Sequence, residues 1–148
     1  MTQLQPQSRG TLRLASNTPL EKPLIDPNYL AEDTDREMLR EGLRELCRQP
    51  GIAGYAGEEL RPGAGKVSNA DLDALVRQTA DSIYHPAGTT RMGTDGMAVT
   101  DPGSMAVHGL RGLYVANASV MPRIVSGNTN APSIAIGALG ARKIAAAL

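Results

Sequence analysis

At 148 residues the chain has the size of one ordinary domain, long enough to remove roughly 68–70% of its unfolded surface from water. Fifteen Lys and Arg balance fifteen Asp and Glu, so no net field draws the chain to a phosphate backbone or an anionic bilayer. With no Trp or Phe and only four Tyr, the stacking platforms of single-strand binders are missing too, and neither nucleic acid nor membrane is expected as a partner.

The lone Cys47 has no partner for an internal disulfide, and the opening MTQLQPQSRG lacks the charged and apolar regions of a signal peptide, so a cytoplasmic setting is the default expectation. Residues 1–9 read as a polar arm. After it, GTLRLAS alternates Leu12 and Leu14 with polar neighbours, the period of a half-buried strand. The connector NTPLEKPLIDPNYL carries three prolines, which remove backbone donors and resist helix, so it is expected to run extended.

Thr34 and Glu37 have capping-box spacing ahead of REMLREGLRELCRQ, where Met38, Leu39, Leu43, Leu46 and Cys47 recur at helical intervals until Pro50-Gly51. Cys47 lies on the apolar stripe and reads as a packing residue rather than a reactive thiol. In the next connector, GAGKVS is not a phosphate loop. Leu60 stands where that motif needs its first glycine, and Val67 where it needs a hydroxyl. A second helix is expected from Ser68, with Leu72, Leu75, Val76, Ala80 and Ile83 on one face and His85 at its far end. The runs MAVHG and GLYVAN read as short strands, and an Ala-rich helix follows from about Ala131. Arg142 and Lys143 interrupt that tail, whereas crossing a bilayer takes about 18 apolar residues, so it reads as a buried helix. Gly137, Gly140 and Ala141 would let its backbone approach a sheet closely.

The chain has only two histidines, 23 residues apart and without a cluster of Cys or carboxylates, so no metal site is expected. His108, inside an alternating run, reads as structural. His85 sits between Tyr84 and Pro86, and the proline biases it out of helical geometry onto a rigid corner. From these residues alone it is either a cap or surface group, or a working imidazole.

The run YHPAGTTRMG, then VTDP, then VHGLRGLYVANASVMPRIVSGNTNAPSIAIG closely resembles the C-terminal segment of the glucose-methanol-choline (GMC) oxidoreductases, FAD-dependent alcohol oxidases and dehydrogenases. SRGTLRLAS and DPNYL extend the likeness more loosely toward the start. The resemblance implies an α+β fold of the GMC C-terminal type. Residues 10–111 would form the substrate-binding portion, and 112–148 a strand and helix that return to an FAD-binding domain absent from this chain. It implies that His85 is the base that takes the proton of an alcohol while hydride passes to flavin N5. Asn128, about 43 residues later, would help hold the substrate oxygen. Cofactor contacts carry over to the backbone near Asn117, Ala118, Thr129 and Asn130, with Asn117 standing where Asp is more usual. Imidazole changes charge near neutral pH, as a general base should, and an amide can donate to a developing alkoxide without changing charge.

No strand, Gly-x-Gly-x-x-Gly turn and helix occur together, so the ADP half of FAD has no recognisable cradle here. The chain is therefore expected to be a fragment or subunit completed by an N-terminal half in cis or in trans, and by itself to bind FAD poorly and oxidise no alcohol. The alternative expectation is a non-catalytic remnant or interaction module of the same fold. Which alcohol is used is not legible in these motifs.

Overall fold

The computed structural model describes residues 1–48, 54–61, 63, 65 and 68–147, and the backbone alone at 47 and 48. The expectation for Cys47 as a packing residue, and the Lys66-Val67 end of the GAGKVS stretch, lie outside what is described. The chain divides into two compact units, Met1–Ile83 and Tyr84–Leu148.

In the first unit, β1 (Thr11–Arg13) and β2 (Leu24–Asp26) pair antiparallel, with Leu12 opposite Ile25. The prolines flank β2 rather than interrupt it, as a strand requires. Gly10 opens the ribbon because nothing larger fits: a Cβ there would lie 2.1 Å from the Asp26 carbonyl oxygen. The alternating strand was expected to be half-buried, yet Leu12 is 50% and Ile25 67% exposed. A two-stranded ribbon has two open faces, and among the described residues no other element of the unit packs on either of them.

Helix α1 spans Asp33–Arg48 and α2 spans Asn69–Thr79. They pack together around Leu72 and Val76, joined by an ion pair from Arg40 Nη1 to Asp73 Oδ1 at 2.6 Å. α1 begins one residue before Thr34, which therefore lies inside the first turn and does not act as the cap. A long-range contact sets the start instead: the Glu32 N–H donates to Ser8 Oγ, and the Glu32 carbonyl accepts from the Arg36 N–H. α2 begins as expected, with Ser68 Oγ accepting from the Asp71 N–H at 3.2 Å. It ends at Thr79, however, where Ala80 turns extended (φ −66°, ψ 134°). Ala80 and Ile83 are thus not on the helix, and His85 lies six residues past its end.

Asp35, in the first turn of α1, is 1% exposed. Its Oδ1 accepts from Gln3 Nε2 (2.6 Å) and the Gln7 N–H (2.7 Å), and its Oδ2 from the Ser8 N–H (2.7 Å) and Ser8 Oγ. Burial alone would push this carboxyl up, but the donated bonds outweigh it and hold it below the usual carboxylate value. A carboxylate lowered in the folded state stabilises above the unfolded value of about 3.9 and loses that contribution as pH falls through the folded one. The opening segment is thereby fastened to α1. Asp35→Asn is expected to lower stability by about 1–3 kcal/mol and to speed amide hydrogen exchange at Gln7 and Ser8. Unchanged exchange at those amides would show that the segment is held some other way.

The second unit is built mostly of turns. Single bridges join Met92 to Thr100, Thr100 to Val107, and Ala106 to Tyr114. A 3₁₀ turn covers Ala118–Val120, and α3 spans Asn130–Ala147. MAVHG and GLYVAN therefore contribute bridges rather than continuous strands. Met105 (φ 65°) and the reversals at Gly109 and Gly112 break the pairing after a residue or two. Val120, Met121, Met105 and the fully buried Thr100 form the core.

α3 meets this core through Gly140, where an added Cβ would come within 2.5 Å of Ala116 Cβ, whereas one at Gly137 would find ordinary contact, 3.7 Å from the Ala116 carbonyl oxygen. Gly140→Ala should cost about 1–2 kcal/mol net, overpacking exceeding the gain in helix propensity. Gly137→Ala should be neutral or stabilising. Urea unfolding midpoints check the pair, and equal shifts would contradict the close approach.

Candidate active site

The second unit enters its site through a turn. Tyr84 takes a left-handed conformation (φ 63°), His85 follows, and Pro86 fixes the next φ. The loop beyond is fastened rather than draped. The Thr90 N–H donates to the Ser119 carbonyl (3.0 Å) and the Met92 N–H to the Val120 carbonyl (2.8 Å). Thr90 Oγ1 meets Ser119 Oγ at 2.5 Å, and Thr100 Oγ1 donates to the Thr90 carbonyl at 2.9 Å. The segment following His85 is thus sewn to the 3₁₀ turn that starts at Ala118.

His85 is half-buried, and its Nδ1 lies 3.0 Å from Thr129 Oγ1. Among the described residues Nε2 has no partner. Thr129 is 8% exposed and directly precedes α3, where its carbonyl accepts from both the Ser133 N–H (3.0 Å) and Ser133 Oγ (2.5 Å). Asn128, exposed, turns its Oδ1 onto the Asn130 N–H at 2.8 Å, which leaves both Nδ2 protons without a partner among the described residues. Of the residues singled out in the sequence, His85 and Thr129 touch, and Asn128 and Asn130 flank Thr129 in the chain.

Asn117 and Ala118 lie at the 3₁₀ turn. The Asn117 carboxamide is committed to capping it, accepting from the Ser119 N–H (2.8 Å) and Ser119 Oγ (2.6 Å). The backbone N–H groups of Ala118, Thr129 and Ala131 have no partner among the described residues. His108 has the structural part its sequence context suggests, its Nε2 bonded to the Gly93 carbonyl at 3.0 Å. Arg91 forks onto Asp95 through bonds of 2.8 and 2.6 Å, and this hydrogen-bonded guanidinium holds the Asp95 carboxyl far below its usual range. Bonds from the Ser104 N–H and hydroxyl lower Asp101 likewise, in a turn whose Pro102 carbonyl is gripped by Lys143 Nζ of α3 at 2.7 Å. These groups brace the loop. Among the described residues no group of three His, Cys, Asp or Glu gathers as a metal site would require, and no helix is long and apolar enough to cross a membrane.

Sequence reasoning missed the Thr129 hydroxyl, having used only that residue's backbone. The available signal was Pro132. A Thr just before a helix ordinarily accepts from the N–H two or three residues on, and the proline removes one of those donors.

A family model described as GMC oxidoreductase matches residues 6–137. The chain belongs to the GMC oxidoreductase family. It is 44% identical over 146 residues to oxygen-dependent choline dehydrogenase 1 of Chromohalobacter salexigens, an alignment covering 95% of this chain and 26% of that protein. It is 43% identical over 136 residues to alcohol dehydrogenase [acceptor] of Pseudomonas putida, covering 90% and 24%. Among solved structures, pyridoxine 4-oxidase from Mesorbium loti superposes with a TM-score of 0.84 at 34% identity, over 97% of this chain and 28% of that one. A formate oxidase of Aspergillus oryzae RIB40, the subject of a study of FAD modification, gives 0.82 at 31%, over 95% and 25%. The chain spans about a quarter of the length of the curated relatives it matches. The fold is α+β, of the GMC C-terminal domain type.

Proposed function

We propose that this chain is the catalytic C-terminal portion of an FAD-dependent oxidoreductase that acts on the CH–OH group of a small alcohol. The observation that carries the reading is the arrangement of open nitrogens at the start of α3. His85 is anchored through Nδ1 and leaves Nε2 open, and the amide donor of Asn128 is open beside its Thr129 anchor in the chain.

In this reading His85 Nε2 takes the hydroxyl proton of the alcohol, and Asn128 Nδ2 donates to the oxygen as negative charge builds on it. An oriented amide needs no rearrangement to do this, so its contribution falls in the transition state. The unpaired N–H groups of Ala118, Thr129 and Ala131 suit a planar ring system rimmed with acceptor atoms, as the isoalloxazine of FAD is, and the positive end of the α3 dipole favours electron density there. When bound, FAD would supply the two-electron acceptor. Sequence corresponding to the rest of the curated relatives, in cis or in trans, would hold its ADP half.

Anaerobic mixing of the FAD-loaded protein, this chain completed by its FAD-binding half in cis or in trans, with a panel of primary alcohols that includes choline and pyridoxine tests the reading. Bleaching of the flavin by at least one of them is expected. A protein that holds FAD but is reduced by no alcohol, while a chemical reductant bleaches it, would return the chain to the non-catalytic alternative.

A further inference from the structure

We infer that Thr129 is a positioning residue: its hydroxyl accepts the Nδ1–H of His85 and so selects the ring tautomer that leaves Nε2 unprotonated. The inference rests on the reading of His85 as a base and extends it to a residue that does not touch the substrate.

The geometry leaves little choice. Thr129 Oγ1 occupies Nδ1 at 3.0 Å, so only Nε2 can face an alcohol. For Nε2 to hold a lone pair in the neutral ring, the ring proton must sit on Nδ1, and the hydroxyl must then accept it. The opposite orientation, with the hydroxyl donating to Nδ1, would put the proton on Nε2 and leave no base. Once Nε2 has taken a proton, Nδ1–H is still a donor, so a single hydroxyl orientation serves before and after the transfer. Reorganisation is thereby avoided at the step where it would slow the reaction.

The anchor is itself held. Thr129 is buried, and its carbonyl is gripped twice by Ser133, so the hydroxyl is as fixed as the first turn of α3. It is also spared its usual duty. Pro132 offers no N–H three residues on, and among the described residues the Ala131 N–H two residues on makes no bond to Oγ1, so the hydroxyl is turned to His85 rather than to helix capping.

The test is the ring nitrogen spectrum of the FAD-loaded protein labelled with ¹⁵N-histidine, the signals of His85 and His108 being assigned by their loss in His85→Gln and His108→Gln. The parent and Thr129→Ser should show His85 with its proton on Nδ1. Thr129→Val, which keeps the shape and removes the hydroxyl, should move His85 toward the Nε2–H form that a free imidazole favours, while the His108 signal stays fixed as a check on the fold. Flavin reduction by a substrate alcohol should slow about 10- to 100-fold in Thr129→Val, by analogy with the loss on removing a partner that orients a metal-ligating histidine, and recover in Thr129→Ser. A parent spectrum with the proton on Nε2 overturns the inference even if the valine variant does not fold, as does a valine variant whose tautomer matches the parent. If His85→Ala reduces flavin at the parent rate, the base reading fails, while the tautomer result still decides what Thr129 does to the ring.

Discussion

Replacing His85 by alanine in the FAD-loaded protein is expected to slow flavin reduction by about two to four orders of magnitude and to leave the flavin bound. The first half follows from the chemistry: with Nε2 gone, the hydroxyl proton must leave to water or to a weaker acceptor, and a positioned base contributes about 10²–10⁴-fold. The second half follows from the structure. The N–H groups free to meet a cofactor belong to Ala118, Thr129 and Ala131, not to His85, and the loop carrying His85 is tied to the 3₁₀ turn through Thr90, Ser119 and Met92 rather than through the imidazole. Stopped-flow reduction together with the flavin content of the purified variant reads both. Because binding is unchanged, the loss should fall on the reduction rate constant at saturating alcohol rather than on the concentration needed for half saturation. A variant reduced at the parent rate would mean that the corner at Tyr84-His85-Pro86 is only a turn.

What the sequence discloses depends on how far apart the deciding contacts lie. α1 and α3 announce themselves because their periodicity, or their run of small residues, is local. The end of α2 does not, since Ala80 and Ile83 continue the apolar spacing through a point where the backbone has already turned extended. The strand-like runs mislead for a related reason: Val107, Tyr114 and Val115 have strand propensity, but pairing is a property of two segments, and the left-handed Met105 limits it to single bridges. Asp35 is the clearest case of hidden function in the fold. One acidic residue in a first helical turn reads as a surface group suited to the helix dipole, and its donors come from 27 to 32 residues away. In the site, His85 and Asn128 became candidates through resemblance to a family, since neither a lone histidine nor an Asn before a helix stands out physically. The partnership of His85 with Thr129 spans 44 residues, and only the folded chain displays it.

Asn128 tests the other half of the chemistry, and its two ends make the test discriminating. The Oδ1 end caps α3 through the Asn130 N–H, while the Nδ2 end is open. Asn128→Ala removes both, so it should cost about 0.5–2 kcal/mol of stability through the lost cap as well as about 10²–10³-fold in flavin reduction. Asn128→Asp separates them. A carboxylate keeps an acceptor for the Asn130 N–H and suits a helix N-terminus, so stability should be retained or improved. It offers no donor, however, and sets a negative charge where an alkoxide is developing, so reduction should slow at least as much as in the alanine variant. The expected signature is therefore opposite signs: an unfolding midpoint held or raised, and a reduction rate lowered by two orders of magnitude or more. An aspartate variant that reduces flavin at the parent rate would confine Asn128 to its cap and place the alkoxide-stabilising donor elsewhere, with the open backbone N–H groups at the start of α3 as the next candidates.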